Sequence, residues 1–307
     1  MKHTIDLHTH TLVSDGFTSP VEAIDELAAA GIKKLVLTDH NSIHGNFDKI
    51  KAYAASRGVD LPLAGLEASV TYYRDACPFF NFHMLVYGTP DNINNEEFLR
   101  VVSRVNEVPN AWAMRDLERL EAQGTGITFD DLFTLDADVA PAEKMMKNAD
   151  GYVSTRLGRL LGITPEEVKE KYGVGLGPEW GDDTGVRPDV REVISAAHKA
   201  GLVCVMAHPF WVDLMDEITD EKEFYSMLAD SIRDLRSFGL DGLEASHLTS
   251  KHEGQSEFLR ALASELGMIT TGGSDYHGEP GGWGSDLGTY GVSEEELEKL
   301  VSLCEKK

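Results

Sequence analysis

The stretch Ile5-Asp6-Leu7-His8-Thr9-His10, close to the start of the 307-residue chain, decides how the rest of the sequence is interpreted. Residues 4–7 have the pattern of a short β-strand and lead into two histidines separated by one residue. Alternate residues of an extended chain point to the same side, so His8 and His10 leave the strand end together. Imidazoles with a nearby carboxylate, here Asp15, are common ligands of divalent metals. The stretch predicts a metal site, with one strand-end and one surface histidine as the alternative.

The chain is strongly acidic, with 28 Lys and Arg against 52 Asp and Glu and a formal net charge of −24. This balance argues against a surface for duplex nucleic acid, because such surfaces neutralise phosphates with Lys and Arg. It does not exclude a small anionic substrate if bound divalent ions make the site locally positive. The hydrophobic fraction of 42% is ample for a buried core.

The sequence carries no apolar run near the ~20 residues that a transmembrane helix requires, and its N-terminus lacks a signal-peptide pattern. The three cysteines, Cys77, Cys204 and Cys304, are scattered and form no C-x-x-C motif. Reduced thiols are the simplest interpretation. We therefore expect a cytoplasmic protein without a membrane partner.

Strand-like and helix-like segments alternate over residues 1–93 and again over 188–307. The first helix begins at Ser19-Pro20-Val21-Glu22, which places a capping serine before a proline and an acid in the first turn. Between residues 94 and 187 the segments look helical and strands are hard to find. The pattern predicts an α/β barrel built from 1–93 and 188–307, with a mostly helical insertion over 94–187 that caps its mouth.

Most residues able to bind a metal share one property, which is a position at or just past the C-terminal end of a predicted strand. They are His8, His10, Asp39, His40, Glu67, His208, Asp275 and His277. His83 lies within the strand predicted over 81–87, and Asp15 lies on the loop after the first strand. In a barrel of parallel strands the C-terminal ends share one face, where active sites are built.

The ordered motifs D-L-H-T-H…S-D-G, T-D-H-N-S, G-L-E, an isolated His83, A-H-P and S-D-Y-H-G resemble those of the PHP (polymerase and histidinol phosphatase) superfamily. Within it they are most similar to the stand-alone metal-dependent phosphoesterases. The resemblance covers both ends of the chain and implies a distorted seven-stranded (β/α) barrel.

The resemblance also implies a cluster of two to three divalent ions. His8, His10 and Asp275 would hold one ion, Glu67 would bridge it to a second held by His83 and His208, and Asp15, His40 and His277 would hold a third. Asp15 stands where many relatives have a histidine. Mixed nitrogen and oxygen ligation without thiolate suits manganese, iron or zinc. Three carboxylates against three such ions leave a local charge of about +3, which would attract a phosphate.

Further residues are candidates for catalysis or substrate contact. Asp39, His208 and His247 could position or transfer a proton, and Asn41, His44, Arg156, Lys251 and His252 could contact substrate. Arg156 opens a predicted helix, where amides and a guanidinium together suit an anion. The alternatives are ordinary loop residues for 247–252 and a surface salt bridge for Arg156.

The resulting hypothesis is a phosphoesterase in which the ions activate a water for attack on phosphorus. The substrate would be a small phosphate ester: a nucleotide, a nucleoside bisphosphate, a sugar phosphate or a cyclic phosphodiester. The sequence shows no activated Ser, Cys or Asp nucleophile, so no covalent intermediate is expected. The rivals are a metal-dependent amidohydrolase cleaving C–N bonds and a non-catalytic metal-binding regulatory module.

Overall fold

The first part of the chain alternates short strands with two helices. The structure, a computed structural model, describes residues 2–44, 46–74, 77–133, 153–175, 187–211, 220–250, 252, 254–278 and 282–307. β1 is Ile5–Asp6, α1 is Pro20–Ala30, β2 is Lys34–Leu35 and α2 is Phe47–Ser56. Ser19 and Glu22 form a reciprocal capping box at the start of α1, and Gly31 ends the helix in a left-handed conformation. The helix predicted from Ser19 is confirmed.

A long antiparallel hairpin follows, formed by β3 (Ala64–Arg74) and β4 (Cys77–Gly88). The strand predicted over 81–87 lies within β4, and a further strand that the sequence predicts over 61–66 overlaps the start of β3. Its register pairs Ser69 with His83. Because Glu67 lies two residues before Ser69, Glu67 and His83 are diagonal neighbours on the same face of the sheet.

The described residues of the predicted insertion contain helices and no strand. α3 (Pro90–Ile93) comes just before the predicted insertion. The elements within it are α4 (Glu96–Val102), a 3-10 turn (Ser103–Asn106), α5 (Glu107–Ala122), α6 (Phe129–Phe133), α7 (Val153–Leu161) and α8 (Pro165–Tyr172). The helix predicted over 141–147 lies outside the described residues. Apolar side chains of α5 to α8 share a core with Leu12 and Val13 of the loop after β1. The helices therefore pack directly on the loop that carries the first candidate ligands.

The α/β alternation resumes in the last third of the chain. The elements are α9 (Val190–Lys199), β5 (Val203–Met206), α10 (Glu221–Ser237), β6 (Gly242–Ser246), α11 (Gln255–Leu266), β7 (Ile269–Gly272) and α12 (Glu294–Lys306). The sequence pattern predicts helices over 187–200, 222–238, 255–266 and 294–304 and strands over 202–207, 242–244 and 268–272, and each lies within three residues of the observed ends. Ser293 and Glu296 form a second capping box at the start of α12.

The seven strands of the described chain form two sheets. β1 and β2 are parallel, and the other five follow the order β3-β4-β5-β6-β7. β4 is antiparallel to both neighbours, while β5, β6 and β7 are parallel. Backbone hydrogen bonds join the sheets at both seams, among them those from the Leu7 amide to the Gly272 carbonyl and from the Asn41 amide to the Glu67 carbonyl. The α/β class is confirmed, but these strands do not form one closed sheet, and β4 departs from the all-parallel order.

Two apolar cores lie on opposite faces of the larger sheet. One contains outward-facing residues of β3 to β6 and the buried faces of α4, α9, α10 and α11. The other contains inward-facing residues such as Leu85 and Val205, together with Leu297 and Leu300 of α12. α12 therefore packs against the interior of the strand assembly.

Across the described part of the chain, none of the helices combines the length and hydrophobicity that a membrane span needs. Cys204 and Cys304 are buried free thiols. Burial raises the pKa of both thiols, that of Cys304 to about 12, so they are not reactive thiolates.

Candidate metal centre

Two histidines at the end of β1 meet two carboxylates in a buried group. His8 Nε2 lies 3.1 Å from His10 Nε2, 3.1 Å from Glu67 Oε2 and 3.2 Å from Asp275 Oδ1. His10 Nε2 lies 3.0 Å from the same Glu67 oxygen and 3.1 Å from the same Asp275 oxygen. Four residues predicted as ligands thus present one atom each to a common point.

The backbone around this group is tightly constrained. The Asp275 amide donates to the His8 carbonyl at 2.9 Å, which ties the end of β7 to the end of β1. Gly273 has to be a glycine, because a Cβ there would lie 2.5 Å from the His8 Cβ. The described non-glycine residues with positive φ are Asn41, His208 and Asp275, all at or beside the site. Backbone strain of this kind clusters at functional sites.

Glu67 connects this group to a second one through its other oxygen. Glu67 Oε1 lies 2.9 Å from His208 Nε2 and 3.2 Å from His83 Nδ1. His208 follows β5, and His83 projects from the middle of β4 onto the face that Glu67 shares. The two Glu67 oxygens thus face two separate groups of imidazoles, and the role of Glu67 as a bridge between two ions stays a prediction.

A third group surrounds Asp15 on the more open side of the site. Asp15 Oδ2 lies 3.4 Å from His277 Nε2 and 3.6 Å from His40 Nε2, and Asp15 Oδ1 lies 3.5 Å from His10 Nδ1. The His277 Nδ1–H donates to the Asp275 carbonyl at 2.8 Å, so its Nε2 lone pair faces Asp15. His40 also reaches Glu67, with Nδ1 3.3 Å from Oε2. All nine predicted ligands are therefore brought together; their roles as ligands remain a prediction.

Burial and charge give these groups shifted proton affinities. Burial alone would lower the pKa of His8, but the charges of Asp275, Glu67 and Glu244 raise it well above its ordinary value. The His8 and His40 charges hold the pKa of Glu67 well below its usual range, again against burial. Burial lowers the pKa of His83 to about 4. The site is thus a pocket of anionic carboxylates that favours a cation.

The donor set fits divalent metal ions. Asp275 Oδ1 and His83 Nδ1 are buried atoms without a hydrogen-bond partner in the described residues. Atoms 3.0–3.2 Å apart have the spacing expected of ligands that surround one ion at roughly 2.0–2.1 Å. Two imidazole nitrogens that face each other at 3.1 Å need a proton or a metal cation between them, because their lone pairs otherwise repel. No thiolate contributes, which suits manganese, iron or zinc.

His247, on the loop after β6, approaches the Asp275 carboxylate, and its tautomer is the opposite of that of His277. The Thr249 amide donates to His247 Nδ1 at 3.1 Å, so in the neutral ring the proton is on Nε2. That Nε2 lies 3.4 Å from Asp275 Oδ2 and is buried. His247 is therefore placed as a hydrogen-bond donor at the edge of the site, which is consistent with its predicted catalytic role.

Asp39 lies beneath the ligands and holds their loop. Its carboxylate accepts hydrogen bonds from the amides of Thr11 and Ser14, from both of their hydroxyls, and from His44 Nε2 at 2.8 Å. Burial alone would raise the pKa of Asp39, yet the hydrogen bond from His44 keeps that pKa below its ordinary value. The contacts of Asp39 and His44 are to the loop and to each other; a proton-transfer role for Asp39 and a substrate contact for His44 remain predictions.

The remaining predicted substrate contacts are less well placed. The Arg156 guanidinium is buried and donates to the carbonyls of Leu12 and Ser14 at 2.7 and 2.6 Å. The Arg156 side chain is therefore buried and not at the surface, and it stabilises the ligand loop from inside; its contact with substrate stays a prediction. The Asn41 side chain bonds to Ser69 of β3. His252 is exposed near the start of α11, and Lys251 lies outside the described residues.

Sequence reasoning missed Glu244 and the two tryptophans of the site. Glu244 on β6 is completely buried and lies 3.0 Å from His8 Nδ1. Trp283 Nε1 donates to Asp275 Oδ2, and the Trp211 ring lies 5.0 Å from that of Trp283. Glu244 could have been found by the rule that identified the other ligands, because it too lies near the C-terminal end of a strand. The tryptophans carry no comparable signal.

Comparison with known proteins agrees with this geometry. A family model described as "PHP domain" matches residues 6–242. The chain belongs to the PHP domain family. The residues of the candidate metal centre up to His208 fall within that match, while Asp275 and His277 lie beyond it.

Three curated relatives span at least nine-tenths of this PHP chain. It is 26% identical over 290 residues to a 3′,5′-nucleoside bisphosphate phosphatase of Chromobacterium violaceum, covering 92% of this chain and 90% of the relative. It is 23% identical to a 5′-3′ exoribonuclease of Haemophilus influenzae (92% and 93% covered) and to a phosphoribosyl 1,2-cyclic phosphate 1,2-diphosphodiesterase of Eggerthella lenta (90% and 95% covered). All three names describe hydrolysis of phosphate esters. The prediction of a phosphoesterase, and so of a hydrolase, is confirmed.

Two solved structures share the fold. One, from Bifidobacterium adolescentis and described as a candidate metal-dependent phosphoesterase, superposes with a TM-score of 0.65 at 23% identity and covers 98% of this chain and 96% of that one. The other, from Chromobacterium violaceum and described as an amidohydrolase with bound sulfate and no metal, has a TM-score of 0.62 at 24% identity, with the same coverage.

Proposed function

We propose that this protein hydrolyses a small phosphate ester at a centre of two to three divalent ions. The observation that supports it most strongly is Glu67, whose two oxygens face two separate groups of buried imidazoles. A bridging carboxylate between two such groups is the arrangement that holds neighbouring ions. The ions would be manganese, iron or zinc, and the seven strands would form a distorted barrel around their ligands.

When bound, the divalent ions supply Lewis acidity, which makes water a stronger acid and neutralises charge on phosphate oxygens. The chain's own residues orient the reaction. His8, His10, Glu67 and Asp275 fix one side of the site, while Asp15, His40 and His277 form its more open side. The substrate phosphate would enter from the open side, because Asp15 has the most exposed side chain of the set.

A proton for the leaving oxygen is available at His247 Nε2. Because the Thr249 amide occupies Nδ1, the Nε2–H is the group that faces the site. A buried imidazole donor beside the reacting ester can protonate the departing alkoxide as a general acid. His208 is the second histidine candidate for this step, through a ring that also faces Glu67.

The rim of the site favours a substrate with a flat aromatic part. Trp211 is 42% exposed, although its ring lies 5.1 Å from that of His208. A hydrogen bond of 2.7 Å from the Trp211 amide to the His208 carbonyl closes a turn that holds the Trp211 ring beside His208, and the Trp283 ring lies alongside. Aromatic faces of this kind stack on nucleobases. Among the candidate substrates, a nucleotide or nucleoside bisphosphate is therefore preferred over a sugar phosphate.

The test incubates manganese-loaded protein with nucleotides, nucleoside bisphosphates and sugar phosphates and measures release of inorganic phosphate, and it measures ring opening to the monoester for cyclic diesters. We expect release from at least one monoester and a loss of at least ~10³-fold in His10→Ala, because His10 contacts both carboxylates of the first group. His198→Ala serves as a matched control, since His198 bonds to Asp241 away from the site. Metal-loaded protein that hydrolyses no phosphate ester, but cleaves an amide, would support the amidohydrolase rival instead.

A further inference from the structure

Glu244 uses both of its carboxylate oxygens on residues of the candidate metal centre. Oε1 lies 3.0 Å from His8 Nδ1, and Oε2 accepts the His208 backbone amide at 2.8 Å. Glu244 is completely buried on β6, the strand between those that lead to His208 and to Asp275. One side chain thus holds a ring from β1 and the backbone that follows β5.

The first contact determines which nitrogen of His8 is available. A carboxylate beside Nδ1 keeps the proton on that nitrogen. The Nε2 lone pair then points to the common point shared with His10, Glu67 and Asp275. Without an acceptor at Nδ1, the other tautomer would place the proton on Nε2 and remove the lone pair from the site.

The second contact holds a strained backbone. His208 has a φ of 27°, in the left-handed region that non-glycine residues rarely adopt. The hydrogen bond from the His208 backbone amide to Glu244 Oε2 fixes the peptide plane at this turn. The His208 ring is then directed at Glu67 Oε1, 2.9 Å away. Residues of the two ion groups on either side of Glu67 are therefore oriented by one carboxylate.

We propose that Glu244 is a positioning residue that selects the Nδ1–H tautomer of His8 and fixes the backbone of His208, so that both rings present Nε2 to the metal centre. Glutamine at this position has one acceptor oxygen and can satisfy only one of the two N–H groups. The inference rests on the proposed metal centre, but its test does not use substrate.

The experiment compares wild type, Glu244→Gln and Asp116→Asn by chelator competition for zinc. Asp116 is a matched control, a buried carboxylate that accepts the Gly175 amide at 2.7 Å within the insertion. We expect zinc affinity to fall roughly 10- to 100-fold in Glu244→Gln and to stay within about 3-fold in Asp116→Asn. Equal losses in both variants, or no loss in Glu244→Gln, would overturn the proposal.

A spectroscopic readout separates positioning from general stability. In zinc-loaded protein labelled with ¹⁵N-histidine, wild type should show a slowly exchanging His8 Nδ1 proton, which Glu244→Gln should lose or shift. An unchanged resonance contradicts the proposal. If Glu244→Gln does not fold, Glu244→Asp, which keeps the charge but shortens the reach, should show the same direction of change, and wild-type affinity in it would contradict us. Wild-type protein that binds no zinc or manganese would instead refute the proposed function.

Discussion

The histidines His8, His277 and His247 differ in whether the Nε2 atom that faces the centre carries a proton. In His8 and His277 a carboxylate and a carbonyl, respectively, accept the Nδ1 proton, so Nε2 faces the centre. In His247 an amide donates to Nδ1, which leaves a proton on Nε2. Histidines that look equivalent in the sequence are therefore given opposite tautomers by their neighbours, which suits the proposed roles of ligand for His8 and His277 and of proton donor for His247.

At this scale we predict that Trp211→Ala weakens use of nucleotide substrates. Loss of base stacking is worth about 1–3 kcal/mol, so kcat/KM should fall roughly 5- to 100-fold, mainly through KM. The measurement compares a nucleoside monophosphate with ribose 5-phosphate, for which little change is expected. Phe238→Ala, which removes another exposed aromatic but on the far helix α10, is the control. An equal loss on both substrates would argue against stacking.

The sequence predicts a site residue more readily when the signal is local than when its partner lies far along the chain. His8, His10, Glu67, His208, Asp275 and His277 were found because strand ends mark a shared face. The pairing of His8 with Glu244 spans 236 positions and depends on strand order and register, which no local pattern encodes. The contacts of the Arg156 guanidinium with the Leu12 and Ser14 carbonyls span more than 140 positions and depend on how α7 packs, which no local pattern encodes; its predicted contact with substrate stays a prediction.

Among the elements, α12 shows how local signals and tertiary contacts combine. Its capping box joins Ser293 to Glu296, and Glu296 also accepts hydrogen bonds from Arg260 of α11 and Thr270 of β7. Burial alone would raise the pKa of Glu296, but hydrogen bonds from Ser293 and Arg260 lower it to about 2. The capping box is evident in the sequence; the partners on α11 and β7 are not.

From this shift we predict a pH-dependent contribution to stability. Because the native pKa of Glu296 lies below its ordinary value of 4.5, its contribution is complete above about pH 4.5 and is lost as pH falls towards 2. Glu296→Gln should lower the free energy of unfolding of metal-free protein by about 1–3 kcal/mol at pH 7, and by less at pH 3.5. Urea unfolding at both pH values measures this.

The control for this prediction is Glu298→Gln, an exposed position on the same helix, where we expect a change below about 0.5 kcal/mol. A deficit of Glu296→Gln that stays constant or grows as the pH falls would contradict the assignment.

Element types were predicted better than their arrangement. Helix ends at Ser19 and Gly31 follow from capping chemistry and were correct. The antiparallel direction of β4 was not predicted, because alternation of strands and helices says nothing about a strand that is joined by a hairpin to the one before it. That direction places His83 in mid-strand, opposite Ser69, instead of at a strand end.

On the scale of the whole molecule, an acidic chain of net charge −24 places most of the buried carboxylates of its described residues at or beside one site. Counting Glu244 with Asp15, Glu67 and Asp275, three divalent ions would leave a local charge of about +2, still enough to attract a phosphate. The helical insertion is coupled to this site through Leu12, Val13 and the Arg156 contacts. The surroundings of the candidate metal centre are thus formed by parts of the chain more than a hundred residues apart.

The most direct measurement of the central claim is a titration of metal-free protein with manganese that records bound ions per chain and phosphate release together. We predict no release without metal, activity that rises as two or more ions bind, and at least ~10³-fold less activity in Glu67→Gln, since neutralising one oxygen of the bridge uncouples the two groups it faces. Full activity in metal-free protein, or an active Glu67→Gln variant that binds a single ion, would contradict the account.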